Sequence, residues 1–183
     1  MKKVIYLIIL ALINPPLYSQ NSEKNPDSYT IQRLIIENDK KEILIYKGKS
    51  YWMTPAIRHN KELSIKEGLQ QLAKSYGLKI TQPKLAALYT YKFGFKKGVS
   101  FRSFYTADLI GSNKTTPPSP ITQAKWAPIS DVTNVIGGLE VRKQMLNHIL
   151  QHPETLWGGS FYLYDDEQGV RQAKILERFY SLR

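Results

Sequence analysis

The sequence predicts one domain of the α/β class, in which amphipathic helices accompany a run of β-strands. Three observations support this prediction. The chain has 183 residues, of which 42% are hydrophobic, so it can bury one sizeable core. Residues 64–77 carry the start and stop signals of an amphipathic helix. Several later segments alternate apolar and polar side chains, as half-buried strands do.

The N-terminal segment is predicted to be a secretory signal peptide, over residues 1–19. Lys2 and Lys3 precede an apolar run at residues 4–13, which is too short to span a bilayer. Ser19 fits the position before the cut. Residues 20–28 would then be a polar lead-in, and the domain would occupy residues 29–183 with a C-terminal extension from about 157.

Export to a periplasm or out of the cell is therefore expected, and the alternative is an uncleaved N-terminal anchor. The chain has no cysteine, which excludes a lipid-anchored lipoprotein and leaves stability to the core alone.

The helix predicted after residue 64 is specified by its own side chains. Ser64 is a good N-cap, and Glu67 three positions later completes a capping box. Gly77 suits the left-handed position that ends a helix. The apolar stripe consists of Ile65, Leu69, Leu72, Ala73 and Tyr76.

With its flanks, this helix resembles the Nudix box, the loop–helix–loop signature GX5EX7REUXEEXGU of the Nudix hydrolase superfamily, where U is aliphatic. The matching segment is WMTPAIRHNKELSIKEGLQQLAKSYGL, residues 52–78. The positions that keep the pattern are Glu62, Leu72, Gly77 and Leu78. The positions that depart from it are Ala56 for Gly, Gln70 and Gln71 for Arg-Glu, and Lys74 and Ser75 for the last Glu pair.

The neighbouring segments extend the resemblance over roughly residues 29–150. A strand-like segment ends in Trp-x-x-Pro before the box, and probable strands at residues 84–91 and 98–109 follow it. Residues 124–130 then resemble the family's late Trp-x-Pro strand. The resemblance implies a single Nudix-like α/β (α+β) domain, with a mixed β-sheet sandwiched between α-helices.

The resemblance also implies chemistry that this sequence contradicts. Nudix pyrophosphatases hold Mg²⁺ or Mn²⁺ on box glutamates, because hard cations prefer carboxylate oxygens. Gln71, Lys74 and Ser75 stand at those positions here, and an ammonium group repels a cation. We expect no ordinary metal site and no cofactor, and Glu62 is the one candidate catalytic residue that the box retains.

Charge indicates what the protein binds instead. The formal net charge is +11, and the basic residues concentrate between residues 47 and 97. Such a field attracts anions. We expect Lys74 to pair directly with a phosphate or carboxylate of a ligand, and the alternative is an ordinary solvated helix face. The candidate ligand-binding residues are Arg58, Gln70, Gln71, Lys74 and Ser75.

The expected partner is an anionic small molecule such as a nucleotide derivative. The aromatic residues follow no nucleic-acid module pattern, and membrane contact is expected only transiently, through the signal peptide. One alternative function is a divergent hydrolase of nucleoside diphosphate-linked compounds, with Mg²⁺ or Mn²⁺ relocated to carboxylates such as Asp108, Asp131 and Glu140. Another alternative is an envelope protein that binds a partner through its basic face.

The C-terminal part is predicted to contain a helix at residues 139–152, a strand at residues 159–164 and a second helix at residues 170–182. His148 and His152 are four positions apart, a spacing that can present two metal ligands. We interpret them instead as surface histidines near a helix C-terminus.

Overall fold

The computed structural model describes residues 30–58 and 63–183. The predicted signal peptide, its lead-in and the candidate Glu62 lie outside these residues. The helices are α1 Ile65–Ser75, α2 Val132–Val135 and α3 Glu140–Gln151. The strands are β1 Thr30–Glu37, β2 Glu42–Lys47, β3 Trp52–Met53, β4 Ala56–Arg58, β5 Lys79–Ile80, β6 Lys84–Phe93, β7 Val99–Ile110, β8 Ala124–Pro128, β9 Trp157–Asp165 and β10 Arg171–Ser181.

The strands form one mixed sheet with the order β10-β9-β6-β7-β1-β2-β3, to which β4, β5 and β8 are attached at the side. The pairs β1–β7 and β6–β9 are parallel, and the other pairs are antiparallel. Strand β4, which contains the start of the box segment, pairs with the first half of β1, so that Arg33 lies opposite Ala56. The box is thereby fixed to the centre of the sheet.

Two apolar layers cover the two faces of the sheet. Leu34 and Ile36 of β1 pack with α1 on one face, whereas Ile35 packs with α3 on the other. This follows from the alternation of side chains along a strand. The prediction of a mixed sheet between helices is confirmed. Within the described ranges, no helix is long and apolar enough to cross a membrane.

Helix α1 has the ends that the sequence predicts. The Ser64 hydroxyl accepts from the Glu67 amide at 3.3 Å, and the Glu67 carboxylate accepts from the Ser64 amide at 2.9 Å. Gly77 has φ of 76°, and the amide of Leu78 donates back to the Ala73 carbonyl at 3.1 Å. This is the Schellman arrangement that ends a helix.

The prediction of a helix at residues 170–182 is wrong, because these residues form β10. A turn in which Gly169 has φ of 74° reverses the chain after β9, and β10 pairs antiparallel with that strand. The edge of the sheet supplies backbone partners that a helix would not use. Of the residues predicted to form the apolar stripe, Phe179 packs on the core, whereas Ile175 and Leu182 are exposed.

Candidate functional site

The predicted ligand-binding residues of the box lie on the outer face of α1 and on β4. Gln70 donates its side-chain amide to the Thr81 carbonyl at 3.0 Å, and the Ser75 hydroxyl donates to the Leu72 carbonyl at 2.7 Å. Gln71 and Lys74 are exposed. Arg58 is exposed at the end of β4, opposite Ile31 of β1. The side chains of Gln70 and Ser75 are thus engaged with nearby backbone.

A shallow cleft of about 440 Å³ lies beside this face and brings Gln70 and Gln71 together with Lys66 and Gln82. Arg58, Lys74 and Ser75 do not line this cleft. The structure therefore separates the predicted set into a pair at a cleft and three residues outside it.

The described side chains at the box do not fit a divalent cation. Glu67 is held at the helix start by the capping box, and no carboxylate occupies positions 70–75 of the helix. Across the parts of the chain that the structure describes, no three His, Cys, Asp or Glu residues gather where they would hold a metal. In particular, Asp131 accepts from the Asn134 side chain and Glu140 pairs with Lys143, so these carboxylates serve local contacts.

A different cationic site lies on the opposite face of the sheet, beneath α3. We call Arg33 of β1, Arg102 of β7 and Arg142 of α3 the arginine cluster. Arg33 pairs in register with Phe104 and Arg102 with Ile31, so the two arginines point to the same face of adjacent strands. The Arg102 guanidinium lies 5.2 Å from the centre of the Tyr91 ring. The cluster thus joins the middle of the sheet to the first turn of α3.

The electrostatics of the arginine cluster are unusual because its charges have the same sign. Burial lowers the pKa of Arg33, and the positive charges of Arg142 and Arg102 lower it further. Burial raises the pKa of Tyr91, whereas the same three arginines act to lower it. Within residues 30–58 and 63–183, no carboxylate is among the groups that shift these two pKa values.

The hydrogen bonds of Arg33 leave part of its guanidinium available. Nη1 donates to the Thr54 carbonyl at 3.0 Å, with the Thr54 hydroxyl at 3.5 Å. Among the described residues, Nε and Nη2 have no protein acceptor, although a guanidinium has five N–H donors. Arg33 lines a small cavity of about 20 Å³ together with Tyr51, Phe104, Gly137 and Arg142.

Tyr51, which is half-buried, lines this cavity and contacts Arg142. Arg142 Nη1 donates to the Tyr51 hydroxyl at 2.6 Å, and the Arg142 guanidinium lies 5.5 Å from the centre of the Tyr51 ring. The first turn of α3 has no side-chain cap, so its amide groups and the positive end of the helix dipole add to the positive potential near Arg142.

Another cleft, of about 710 Å³, lies at the other end of β1 and β7. Its cations are Lys40, Lys41 and Lys84, but Glu37 and Asp108 line it as well. Lys41 pairs with Glu37 at 2.6 Å, and this hydrogen bond raises the pKa of the lysine. Because the charges there are mixed, the smaller arginine-lined cavity has the clearer chemical preference.

Sequence reasoning missed the arginine cluster. The available signal was Arg33, a charged residue inside the apolar strand TIQRLIIE.

His148, interpreted from the sequence as a surface residue, packs between elements in the structure. Its ring centre lies 4.7 Å from that of Trp157 and 4.3 Å from that of Phe179, so it joins α3 to β9 and β10.

Comparison with known proteins identifies the fold. No family model matches the chain, and no curated protein sequence matches it. A crystal structure of a mutator MutT protein from Bacillus halodurans has a TM-score of 0.63 and 18% identity, and the match covers 82% of this chain and 97% of that one. A NUDIX hydrolase from Nitrosomonas europaea has a TM-score of 0.56 and 14% identity, covering 74% of this chain and 79% of that one. With the mixed sheet and the box helix in place, these likenesses show that the chain has a Nudix-like fold.

Proposed function

We propose that this protein is a Nudix-like binding protein that takes up a phosphorylated or other anionic small molecule at the arginine cluster, without metal-dependent hydrolysis. One observation carries the proposal: Arg33 and Arg142 line one cavity under α3 beside Arg102, and no carboxylate of the described residues is among the groups that shift the pKa of Arg33. An anionic ligand would neutralise the cluster and accept from the available donors of Arg33 and Arg142.

The energetics favour a ligand at this position. Bringing like charges together in a partly dehydrated site costs free energy, because opposite charges and hydrogen bonds are what normally compensate buried cations. A protein that keeps such a cluster gives up stability of the ligand-free state. Guanidinium groups suit phosphate and carboxylate oxygens particularly well, since they donate two parallel hydrogen bonds.

The outer face of α1 is a second position for the same function. Lys74 is exposed, and its side chain makes no hydrogen bond or ion pair with another described residue. It stands where the resemblance places a metal-binding glutamate, so a direct contact with a ligand phosphate remains part of the proposal. The engaged side chains of Gln70 and Ser75 argue for the arginine cluster as the primary position.

Calorimetric titration with inorganic phosphate, ADP-ribose and nucleoside diphosphates tests the proposal. We expect wild type to bind at least one of them, Arg142→Gln to bind at least tenfold more weakly, and Lys74→Gln to bind with a smaller loss. The matched control is Lys79→Gln, an exposed lysine outside both positions. If only Lys74→Gln loses affinity for the ligand, the binding site lies on the outer face of α1 and not at the arginine cluster. Absence of binding to wild type would refute the function.

Incubation with ADP-ribose and nucleoside diphosphates distinguishes the binding protein from the divergent hydrolase and from the envelope partner-binding protein. Release of phosphate or nucleoside monophosphate that depends on Mg²⁺ or Mn²⁺ would favour the divergent hydrolase. Ligand-induced thermal stabilisation without turnover would favour the binding protein. If neither occurs, the basic surface and an envelope partner become the better explanation.

Export is part of the proposal as well. Lys2 and Lys3, the apolar run at residues 4–13 and the small Ser19 support a cleaved signal peptide. N-terminal sequencing of protein recovered from the exported fraction should begin at Gln20. An intact N-terminus on membrane-bound protein would indicate an uncleaved anchor instead.

A further inference from the structure

We infer that Tyr51 determines what the arginine cluster accepts: its hydroxyl occupies the place of a ligand oxygen on Arg142, and a bound oxyanion must displace it. This inference rests on the proposed anion site. It adds a residue that neither the box resemblance nor the pattern of basic residues indicated.

Tyr51 and Arg142 are in direct contact. The Tyr51 hydroxyl is a neutral acceptor, and it takes the Nη1 donor of Arg142 at 2.6 Å. An oxyanion is a stronger acceptor for the same donor, because a hydrogen bond between two charged groups is stronger than one between a charged and a neutral group. A ligand oxygen therefore competes for the position that Tyr51 fills.

The cavity is too small for a phosphoryl group while Tyr51 keeps its position. The cavity beside Arg33 and Arg142 has a volume of about 20 Å³, enough for roughly one water molecule. A phosphoryl group carries several oxygens of about that size, so it does not fit while Tyr51 stays in place. Binding of a phosphoryl group at the cluster therefore requires Tyr51 to leave the position that it has in this structure.

Close packing of the backbone at Gly137 and Gly138 positions Tyr51. A Cβ atom at Gly137 would lie 2.3 Å from the Tyr51 Cβ, and one at Gly138 would lie 2.8 Å from Arg142 Nη1. The Gly137 amide also donates to the Trp52 carbonyl at 3.2 Å. The two glycines therefore allow the chain segment before β3 to approach α3 closely enough for the tyrosine to reach the arginine.

The consequence is a selective site. Ligands whose anionic group gains two guanidinium partners recover the cost of moving Tyr51. Weakly basic oxyanions and neutral molecules do not recover it. Removing the hydroxyl alone should lower this threshold, because the ring is then held by packing only and the hydrogen bond from Arg142 no longer opposes its displacement.

Titration of Tyr51→Phe with inorganic phosphate tests the inference, with Tyr164→Phe as the matched control on an exposed tyrosine. We expect phosphate to bind Tyr51→Phe about tenfold more tightly than wild type, the factor that corresponds to one net charge-assisted hydrogen bond. Tyr164→Phe should bind like wild type. The thermal midpoint of ligand-free Tyr51→Phe should fall, because the hydrogen bond from Arg142 is lost. A lower midpoint shows that tighter phosphate binding does not come from a more stable fold.

The outcomes distinguish this inference from the proposed function. If wild type binds phosphate and Arg142→Gln loses it, but Tyr51→Phe binds equally or more weakly, Tyr51 is not displaced and the inference is overturned. If phosphate binds neither wild type nor Tyr51→Phe, both the anion site and the inference built on it are overturned.

Discussion

The hydroxyl of Tyr51 and the guanidinium of Arg142, 91 positions apart in the chain, form a hydrogen bond of 2.6 Å at the edge of the arginine cluster. This contact connects the segment that leads into the box with the first turn of α3. It satisfies one charged donor of Arg142 with a neutral oxygen.

Gly137→Ala should force Tyr51 away from α3 without changing the tyrosine itself. A new Cβ at 2.3 Å from the Tyr51 Cβ cannot be accommodated, so something must shift. We expect a lower free energy of unfolding together with tighter phosphate binding, measured by denaturant titration and calorimetry. Gly158→Ala is the control, because its Cβ would meet the Tyr180 ring at 2.6 Å on strands distant from the cluster in sequence. Equal changes in phosphate affinity for both variants would contradict the explanation.

Arg33→Met should stabilise the ligand-free protein and abolish its response to phosphate. Methionine keeps the apolar stem and removes a charge that burial and Arg142 already disfavour. We expect a gain of about 1 kcal/mol, at the low end of the range seen when buried charges are replaced by apolar residues. Denaturant titration with and without phosphate measures both effects. Arg171→Met is the control, because Arg171 pairs with Asp165 at the surface and its loss should bring no gain.

Ser64→Ala should destabilise the protein modestly while leaving ligand binding unchanged. The variant removes the acceptor for the Glu67 amide at the start of α1. We expect a loss of about 1 kcal/mol, the usual cost of an N-cap. Lys66→Ala, in the same exposed turn, should have a smaller effect on the thermal midpoint. A loss of phosphate affinity in Ser64→Ala would show that the box helix and the arginine cluster are coupled.

Stability should fall on acidification through His148. Burial lowers its pKa below the ordinary 6.5, and the nearby His152 lowers it further. Above pH 6.5 the ring is neutral in both the folded and the unfolded state. As the pH falls below 6.5, the unfolded chain takes up the proton first, so stability is lost until the lowered folded pKa is passed.

His148→Phe should keep the contacts with Trp157 and Phe179 and remove this pH dependence. The free energy of unfolding, followed from pH 7.5 to 5, measures it. His152→Gln should retain most of the dependence, because burial is the larger cause of the lowered pKa. An unchanged pH profile in His148→Phe would assign the acid sensitivity to other groups.

The sequence predicted those elements whose signals are local. Ser64, Glu67 and Gly77 act on backbone groups within a few positions, so the ends of α1 follow from the sequence alone. Residues 170–182 show the opposite case. Ile175, Phe179 and Leu182 fit a helical spacing, but the free edge of β9 pairs with this segment and makes it a strand.

The sequence by itself determined the box helix, the order of the elements around it and the loss of the box carboxylates. Only the tertiary structure decided where the cationic site lies. Arg33, Arg102 and Arg142 belong to two strands and a helix that no local pattern connects, and they meet because β1 and β7 are parallel neighbours and α3 covers that face. The physical reason is range: caps and turns act between adjacent residues, whereas a charge cluster depends on which faces the folded sheet brings together.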